Sequence, residues 1–144
     1  MKVLVLNGPN LARLDLRDSA IYGEMNFEKL SEYISDSAVE LGIDVDIRQS
    51  DDEVQIIHWL HEAADSQLPV ILNPAAFTHY SYAIRDAAQM LTAPLIEVHL
   101  SNPMAREEFR HTSVISGVAK GTIAGFGPDS YRLALIALAQ LLAN

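Results

Sequence analysis

The chain predicts an α/β domain built on a five-stranded parallel sheet, because short β-branched apolar runs alternate five times with stretches of helical periodicity. Its 144 residues, 49% of them apolar and with no low-complexity tract, suffice for one domain with a full core and argue against disorder. Residues 1–144 are therefore expected to form a single domain.

The first run, Val3-Leu4-Val5-Leu6, reads as a buried strand closed by the turn residues Asn7-Gly8-Pro9. Phe27, Leu30, Ile34, Ala38 and Leu41 then recur at helical spacing, with Asn26 as N-cap and Gly42 as the stop. A second strand covers Ile43 to Ile47, where Asp44 and Asp46 alternate as on an exposed edge. A second helix follows from Asp52 to Asp65, with Val54, Ile57, Leu60 and Ala64 turned inward. Pro69–Leu72 and Pro94–Val98 make two more buried strands, with a helix from Ser81 to Leu91 between them. A helical turn over Ala105–His111, a strand over Thr122–Phe126 and a helix from Asp129 to Leu142 complete the chain.

Such alternation places helices on both faces of the sheet, giving a three-layer sandwich for which the flavodoxin-like strand order 2-1-3-4-5 is expected. Ligands of these sheets bind beyond the carboxyl ends of the strands. That rule selects four loops, Asn7–Gly23, Arg48–Asp51, Asn73–Tyr80 and His99–Arg110. The last helix carries Leu133, Leu135, Ile136, Leu138 and Leu141, apolar nearly all round. Burial on two sides, and hence an oligomer, is expected over an alanine-rich helix packed on one side.

The formal net charge of −9 disfavours nucleic acid and acidic membrane surfaces as partners. The absence of cysteine excludes a disulfide scaffold, a thiolate zinc site and a cysteine nucleophile. The apolar run after Met1-Lys2 is too short for a signal peptide, and no stretch suits a membrane span, so a cytoplasmic protein is expected.

The loop Asn7–Gly23 is too long for a simple connection, and loops of that length in compact domains are usually functional. It holds Asn10, Arg13, Arg17 and Tyr22 but neither G-x-G-x-x-G nor a P-loop lysine, so a nucleotide reading is unsupported. The three glycines of Gly121–Gly127 cover the last strand and read as close packing. Glu97 and His99 fall on the same side of a strand, so the carboxylate can hold one imidazole nitrogen and orient the other. Arg106 and Arg110 fall four apart, on one face of the predicted turn.

Singly, each feature has a bland reading: a packing tyrosine, a satisfied histidine, a salt-bridged helix around Glu107 and Glu108. Together they converge on one rim whose only cationic groups are arginines, on an acidic chain, and an anion site is the expectation. His58 and His61 with Glu62 lack a third metal ligand and read as a solvated helix face. No lysine lies on the rim, which disfavours Schiff-base chemistry. A receiver-like signalling module would need clustered aspartates after the first strand, where Asn7-Gly8-Pro9-Asn10 has none.

These residues resemble a known family. Asn7-Gly-Pro-Asn10-Leu, Arg17, Tyr22-Gly23, Arg48-Gln-Ser50 with Glu53, Asn73 with Thr78-His79 and Ser81, and Arg85-Asp86-Ala87 occur in order. Glu97-Val-His-Leu-Ser-Asn102 and Arg106-Glu-Glu-Phe-Arg110-His follow, and the whole series is similar to type II 3-dehydroquinate dehydratase over nearly the entire chain. The resemblance implies a flavodoxin-like fold, a dodecamer of four trimers, and no metal or cofactor. It implies reversible anti elimination of water from 3-dehydroquinate through an enolate. The role is aromatic biosynthesis by the shikimate route or quinate breakdown, the remaining alternative being an inactive homologue that only binds.

By position, the resemblance makes Tyr22 the base and His99 the acid, with Glu97 orienting it. Arg17 would stabilise charge from the lid, and Asn10 would help hold the enolate through water. Asn73, His79, Arg110 and the backbone of Leu100 and Ser101 would bind substrate, and Asp86 would reach a neighbouring subunit's site.

Elementary electrostatics supports such a base. Tyrosine ordinarily titrates near about 10, and lowering that by about three units takes about 4 kcal/mol. One guanidinium at about 5 Å, in an effective dielectric of about 20, supplies about 3 kcal/mol, so two suffice where one falls short. Arg17 and Arg106 are the candidates.

The chain departs from the family pattern at four places. Asp15 and Ala75 stand where glycine is usual, and Asp18-Ser19 replaces Glu-Pro on the lid. Losing glycine restricts φ, losing proline loosens the loop, and Asp15 is expected to add negative charge near an anionic substrate. Slower lid closure or a raised KM is the expected consequence.

Overall fold

The structure is a computed structural model and describes residues 1–143. Strands β1 (Lys2–Asn7), β2 (Asp44–Gln49), β3 (Val70–Asn73), β4 (Leu95–His99) and β5 (Gly121–Ala124) form one sheet in the order β2-β1-β3-β4-β5. All four pairings are parallel. The predicted flavodoxin-like order is the one observed.

Alternation of side chains along the strands builds the two flanking layers. Val3 and Val5 of β1 join the core beneath α2 (Phe27–Glu40) and α5 (Asp129–Leu141), while Leu4 and Leu6 join that beneath α3 (Glu53–Ser66) and α4 (Tyr82–Gln89). Buried on both faces, β1 reads as a continuous apolar run rather than an alternating one. Truncating a fully buried residue such as Leu4 to alanine is expected to cost about 2–5 kcal/mol.

The predicted cap at Asn26 holds, and the structure adds caps at the two following helix starts. Asn26 accepts from the Lys29 amide at 2.8 Å, Asp52 from Val54 at 3.0 Å and Ser81 from Ile84 at 3.1 Å. Gly42 takes φ +70° just past the end of α2.

Several expectations are corrected. On α3 the buried stripe is Ile56, Leu60 and Ala63, with Ile57 partly covered, while Val54 is exposed. Two apolar stripes were available to that helix, and its crossing over the sheet selects the other. The segment 105–111 is not one helical turn: Pro103–Ala105 and Glu108–Arg110 form separate 3-10 turns, with Arg106 extended between them. Asp46 does not stand free on the β2 edge but pairs with Arg48, which also binds Glu62 of α3. The last helix buries Tyr131, Ala134, Leu135 and Leu138 and leaves Leu133 and Leu141 exposed. His58 and His61 are both solvent-exposed. Among the described residues, no helix is long and apolar enough to cross a membrane.

The end of β1 and the loop after β3 come unusually close. A side chain at Gly8 would lie 2.5 Å from the Pro74 carbonyl oxygen, so only glycine permits the 2.8 Å bond from the Gly8 amide to the Asn73 carbonyl. Beyond Gly8, the long loop folds back on the carboxyl edge of the sheet. Its 3-10 segment Leu11–Leu16 buries Leu11 and Leu14, and Asp18 caps the short helix α1 (Ser19–Tyr22) through the Ala20 amide at 2.9 Å.

Candidate active site

A cavity opens where the fold rule places it, beyond the carboxyl ends of β1, β3 and β4. Arg17, Tyr22, Asn73, His79, His99, Arg106 and Arg110 line it, together with Asn10, Leu100 and Ser101. Among the described residues three arginines and no carboxylate face this space, although the chain carries a net charge of −9. The positive potential is therefore local, as suits a small anion.

The helix α1 brings Tyr22 in from the lid. Its phenolic oxygen receives hydrogen bonds from Arg17 Nη2 at 2.7 Å and Arg106 Nη1 at 2.8 Å. The two guanidinium carbons lie 4.6 and 5.4 Å from the ring centroid, so both cations also sit against the ring. Arg106 Nη1 further donates to Ser101 Oγ at 3.2 Å, which anchors the guanidinium to the rim after β4. Its Nε is buried and, among the described residues, has no hydrogen-bond partner.

Glu97 and His99 lie on the same side of β4, as their spacing predicts, with Glu97 Oε2 2.5 Å from His99 Nε2. Glu97 has no exposed surface, yet its carboxylate accepts from Thr78 at 2.6 Å, Ser116 at 2.6 Å and Ser113 at 2.9 Å. Burial by itself would push this carboxyl up, but the bonds from His99, Ser116 and Thr78 outweigh it and hold the group down at about 2. Glu97 is thus an anion that only accepts, so His99 Nε2 carries the proton between them and Nδ1 is the nitrogen left for a ligand.

Lid and sheet are joined at Asn10, which adopts a left-handed φ of +69°. Its backbone N–H donates to Asp51 at 2.8 Å, and Gln49 Nε2 donates to the same carboxylate at 3.0 Å and to the Gly8 carbonyl at 3.1 Å. Asn73 is nearly buried; its Oδ1 accepts from the Ala75 amide at 3.1 Å and its Nδ2 donates to the Tyr131 hydroxyl at 2.8 Å. The His79 ring meets the Thr112 carbonyl through Nδ1 at 2.9 Å, leaving Nε2 free of that contact. Arg110 forks onto Glu107 at 3.1 and 3.3 Å while still lining the cavity. Asp86 is exposed on α4 and takes no part in this cavity.

Two departures from the family pattern behave differently. Ala75 sits at φ +51°, a conformation that costs a side chain but not glycine, as expected of a position that favours glycine. Asp15 does not point into the cavity: it forks with Arg13 at 3.1 and 3.2 Å on the exposed side of the loop, which neutralises its charge. Arg13, two residues before it, takes up the carboxylate there.

Sequence reasoning assigned no role to Ser113, Ser116, Tyr131 or Asp51. The two serines lie in a loop after the rim, Tyr131 on the last helix and Asp51 beyond β2, and each meets a partner at least 16 residues away. No local pattern signals such pairings.

A flavodoxin-like sheet, an arginine-lined cavity and a tyrosine facing two cations define a small-molecule enzyme of the α/β class that acts on an anion. Residues 1–139 match the family described as dehydroquinase class II, and the chain belongs to that family. A 3-dehydroquinate dehydratase from Salinispora tropica is 57% identical over 139 residues, covering 96% of this chain and 97% of that protein. One from Mycobacteroides abscessus is 53% identical, covering 94% of each. The crystal structure of type II dehydroquinase from Propionibacterium acnes superposes with a TM-score of 0.94 at 52% identity, covering 96% of both chains.

Proposed function

We propose that this chain is a hydro-lyase converting 3-dehydroquinate to 3-dehydroshikimate and water, as its relatives' names describe, in the shikimate route to aromatic compounds. The observation that carries the reading is the pair of cationic bonds on Tyr22, set in the same cavity as His99, which the buried Glu97 holds from behind.

Two charge-assisted donors on one oxygen stabilise a phenolate over a phenol, so Tyr22 accepts the proton from the carbon beside the ketone. The C–H pair becomes the C=C bond to the carbonyl carbon while the carbonyl π pair moves onto the ketone oxygen, giving an enolate that Asn10 holds through water. Collapse of the enolate forms the C=C bond and breaks the C–O bond, and imidazolium His99 donates its Nδ1 proton to the departing hydroxyl, which leaves as water. The Glu97 carboxylate stabilises that imidazolium. The phenolic proton then returns through solvent to His99. Both proton transfers use side chains of this site, so no cofactor or metal enters the scheme.

Arg17 and Arg106 screen the developing charge, and the unpartnered Nε of Arg106 is a donor for an anionic ligand. Asn73, His79, Arg110, Leu100 and Ser101 bind the carboxylate and hydroxyls. Asp86 serves the site of a neighbouring subunit in a dodecamer of four trimers, in which a subunit contact would cover the exposed Leu133 and Leu141 on α5. Sedimentation of the purified protein tests the assembly; a monomer refutes it. The reaction is tested by the ultraviolet absorbance of the enone product on mixing enzyme with 3-dehydroquinate. Absence of turnover refutes the assignment and leaves a binding protein. A cytoplasmic location accords with this metabolism.

A further inference from the structure

Beneath the cavity floor lies a chain of hydrogen bonds whose direction is forced from both ends. At one end the Arg48 backbone carbonyl can only accept, so the Asn7 amide points Nδ2 toward it at 3.0 Å. The Asn7 Oδ1 is then the atom facing α5, where it accepts from the Tyr131 hydroxyl at 2.6 Å. Tyr131 has spent its only proton, so its oxygen accepts from Asn73 Nδ2 at 2.8 Å. At the other end the Ala75 amide can only donate, and Asn73 Oδ1 receives it at 3.1 Å. Nothing in this series can be reversed without leaving a buried donor facing a donor, or an acceptor facing an acceptor.

We infer that Tyr131 is a positioning residue which locks the Asn73 amide so that the cavity is offered a hydrogen-bond donor, not an acceptor, at this position. The second Nδ2 proton of Asn73 is the group left over for a ligand, because its oxygen and first proton are both engaged. An N–H there recognises an oxygen lone pair, as a carboxylate or hydroxyl of the substrate supplies. A flipped amide would turn its carbonyl toward the same oxygen and repel it. Tyr131 is fully buried, and its burial pushes the phenol up, with the Asn73 bond offsetting a part, so the hydroxyl keeps the proton on which the direction depends. The arrangement also explains a phenol beside the aliphatic core residues Ala134, Leu135 and Leu138 of α5.

The proposal rests on the cavity being the dehydroquinate site, and the two stand or fall separately. If the unmodified enzyme does not turn over, the site assignment fails. If it does, Tyr131→Phe is expected to raise KM about tenfold with kcat changed less than about threefold, the loss expected when an oriented buried donor is released. In the Asn73→Ala background the same change should leave KM unaltered, since the residue being oriented is gone. An unchanged KM in Tyr131→Phe, or an equal rise in both backgrounds, would overturn the inference and leave Tyr131 a packing residue. Should the variant fail to fold, nitrogen-resolved NMR of the unmodified enzyme decides. One Asn73 side-chain proton should exchange slowly, and the other should shift on addition of 3-dehydroshikimate. An Asn73 pair that exchanges freely and ignores the product refutes it.

Discussion

Arg106 and Tyr22 stand 84 residues apart in the chain and meet through a 2.8 Å hydrogen bond from guanidinium to phenolic oxygen. Tyr22 arrives on the lid and Arg106 on the rim after β4, so this bond also clasps the lid to the sheet. With Arg17 it makes the second of two cations on one oxygen. Removing either cation, as Arg106→Ala or Arg17→Ala, is expected to lower kcat about a hundredfold, corresponding to about 3 kcal/mol of activation free energy. Tyr22→Phe should abolish turnover while calorimetry still detects product binding. Substantial residual turnover in Tyr22→Phe would point to another base.

Glu97 should make stability fall in acid. Its folded value of about 2 lies below the ordinary 4.5, so the folded state holds the proton more weakly than the unfolded chain. The stabilisation is therefore fully present above pH 4.5 and is lost as pH falls from there toward 2. It amounts to about 3 kcal/mol. Urea unfolding of the native enzyme and of Glu97→Gln, compared at pH 6 and pH 3, isolates it, because the exposed carboxylates titrate alike in both. Parallel losses in the two proteins would show that His99 and the surrounding hydroxyls do not hold the carboxylate down.

Ala75 is strained at φ +51°. Ala75→Gly removes a left-handed penalty of about 1–2 kcal/mol and adds unfolded-state entropy costing about 0.4–1 kcal/mol. A net gain of about 0.5–1 kcal/mol is expected, visible as a melting temperature raised by about 2 °C. A lower melting temperature would mean that the alanine methyl contributes more through packing than the backbone loses through strain.

Ser19 occupies the first turn of α1, directly after the cap Asp18, whose ψ of 115° is the extended form that a following proline demands. Ser19→Pro should therefore stiffen the lid without distorting it. The expected result is slower hydrogen exchange at Ile21 and Tyr22, whose amides bond to the Asp18 carbonyl, and a KM lowered about twofold to threefold. Unchanged exchange at these amides would show that the lid is already as rigid as the proline could make it.

Much of this protein was legible in its residue order. Apolar runs announced a parallel sheet, and their alternation with helices, the first capped at Asn26 and stopped at Gly42, announced its order. The pairing of Glu97 with His99 was legible because two residues of one strand separated by one other must share a face. Periodicity, caps and strand alternation are local, so one stretch of sequence contains all the information they need.

Tertiary structure alone decided the rest. The phase of α3, the break between Arg106 and Arg110, the capture of Asp15 by Arg13 and the joining of Asn7 to Asn73 through Tyr131 are choices among locally equivalent options. Each was settled by what came within hydrogen-bonding or packing distance once the sheet had formed. A buried donor or acceptor must find a partner wherever the fold supplies one, and that partner leaves no periodic trace in the sequence.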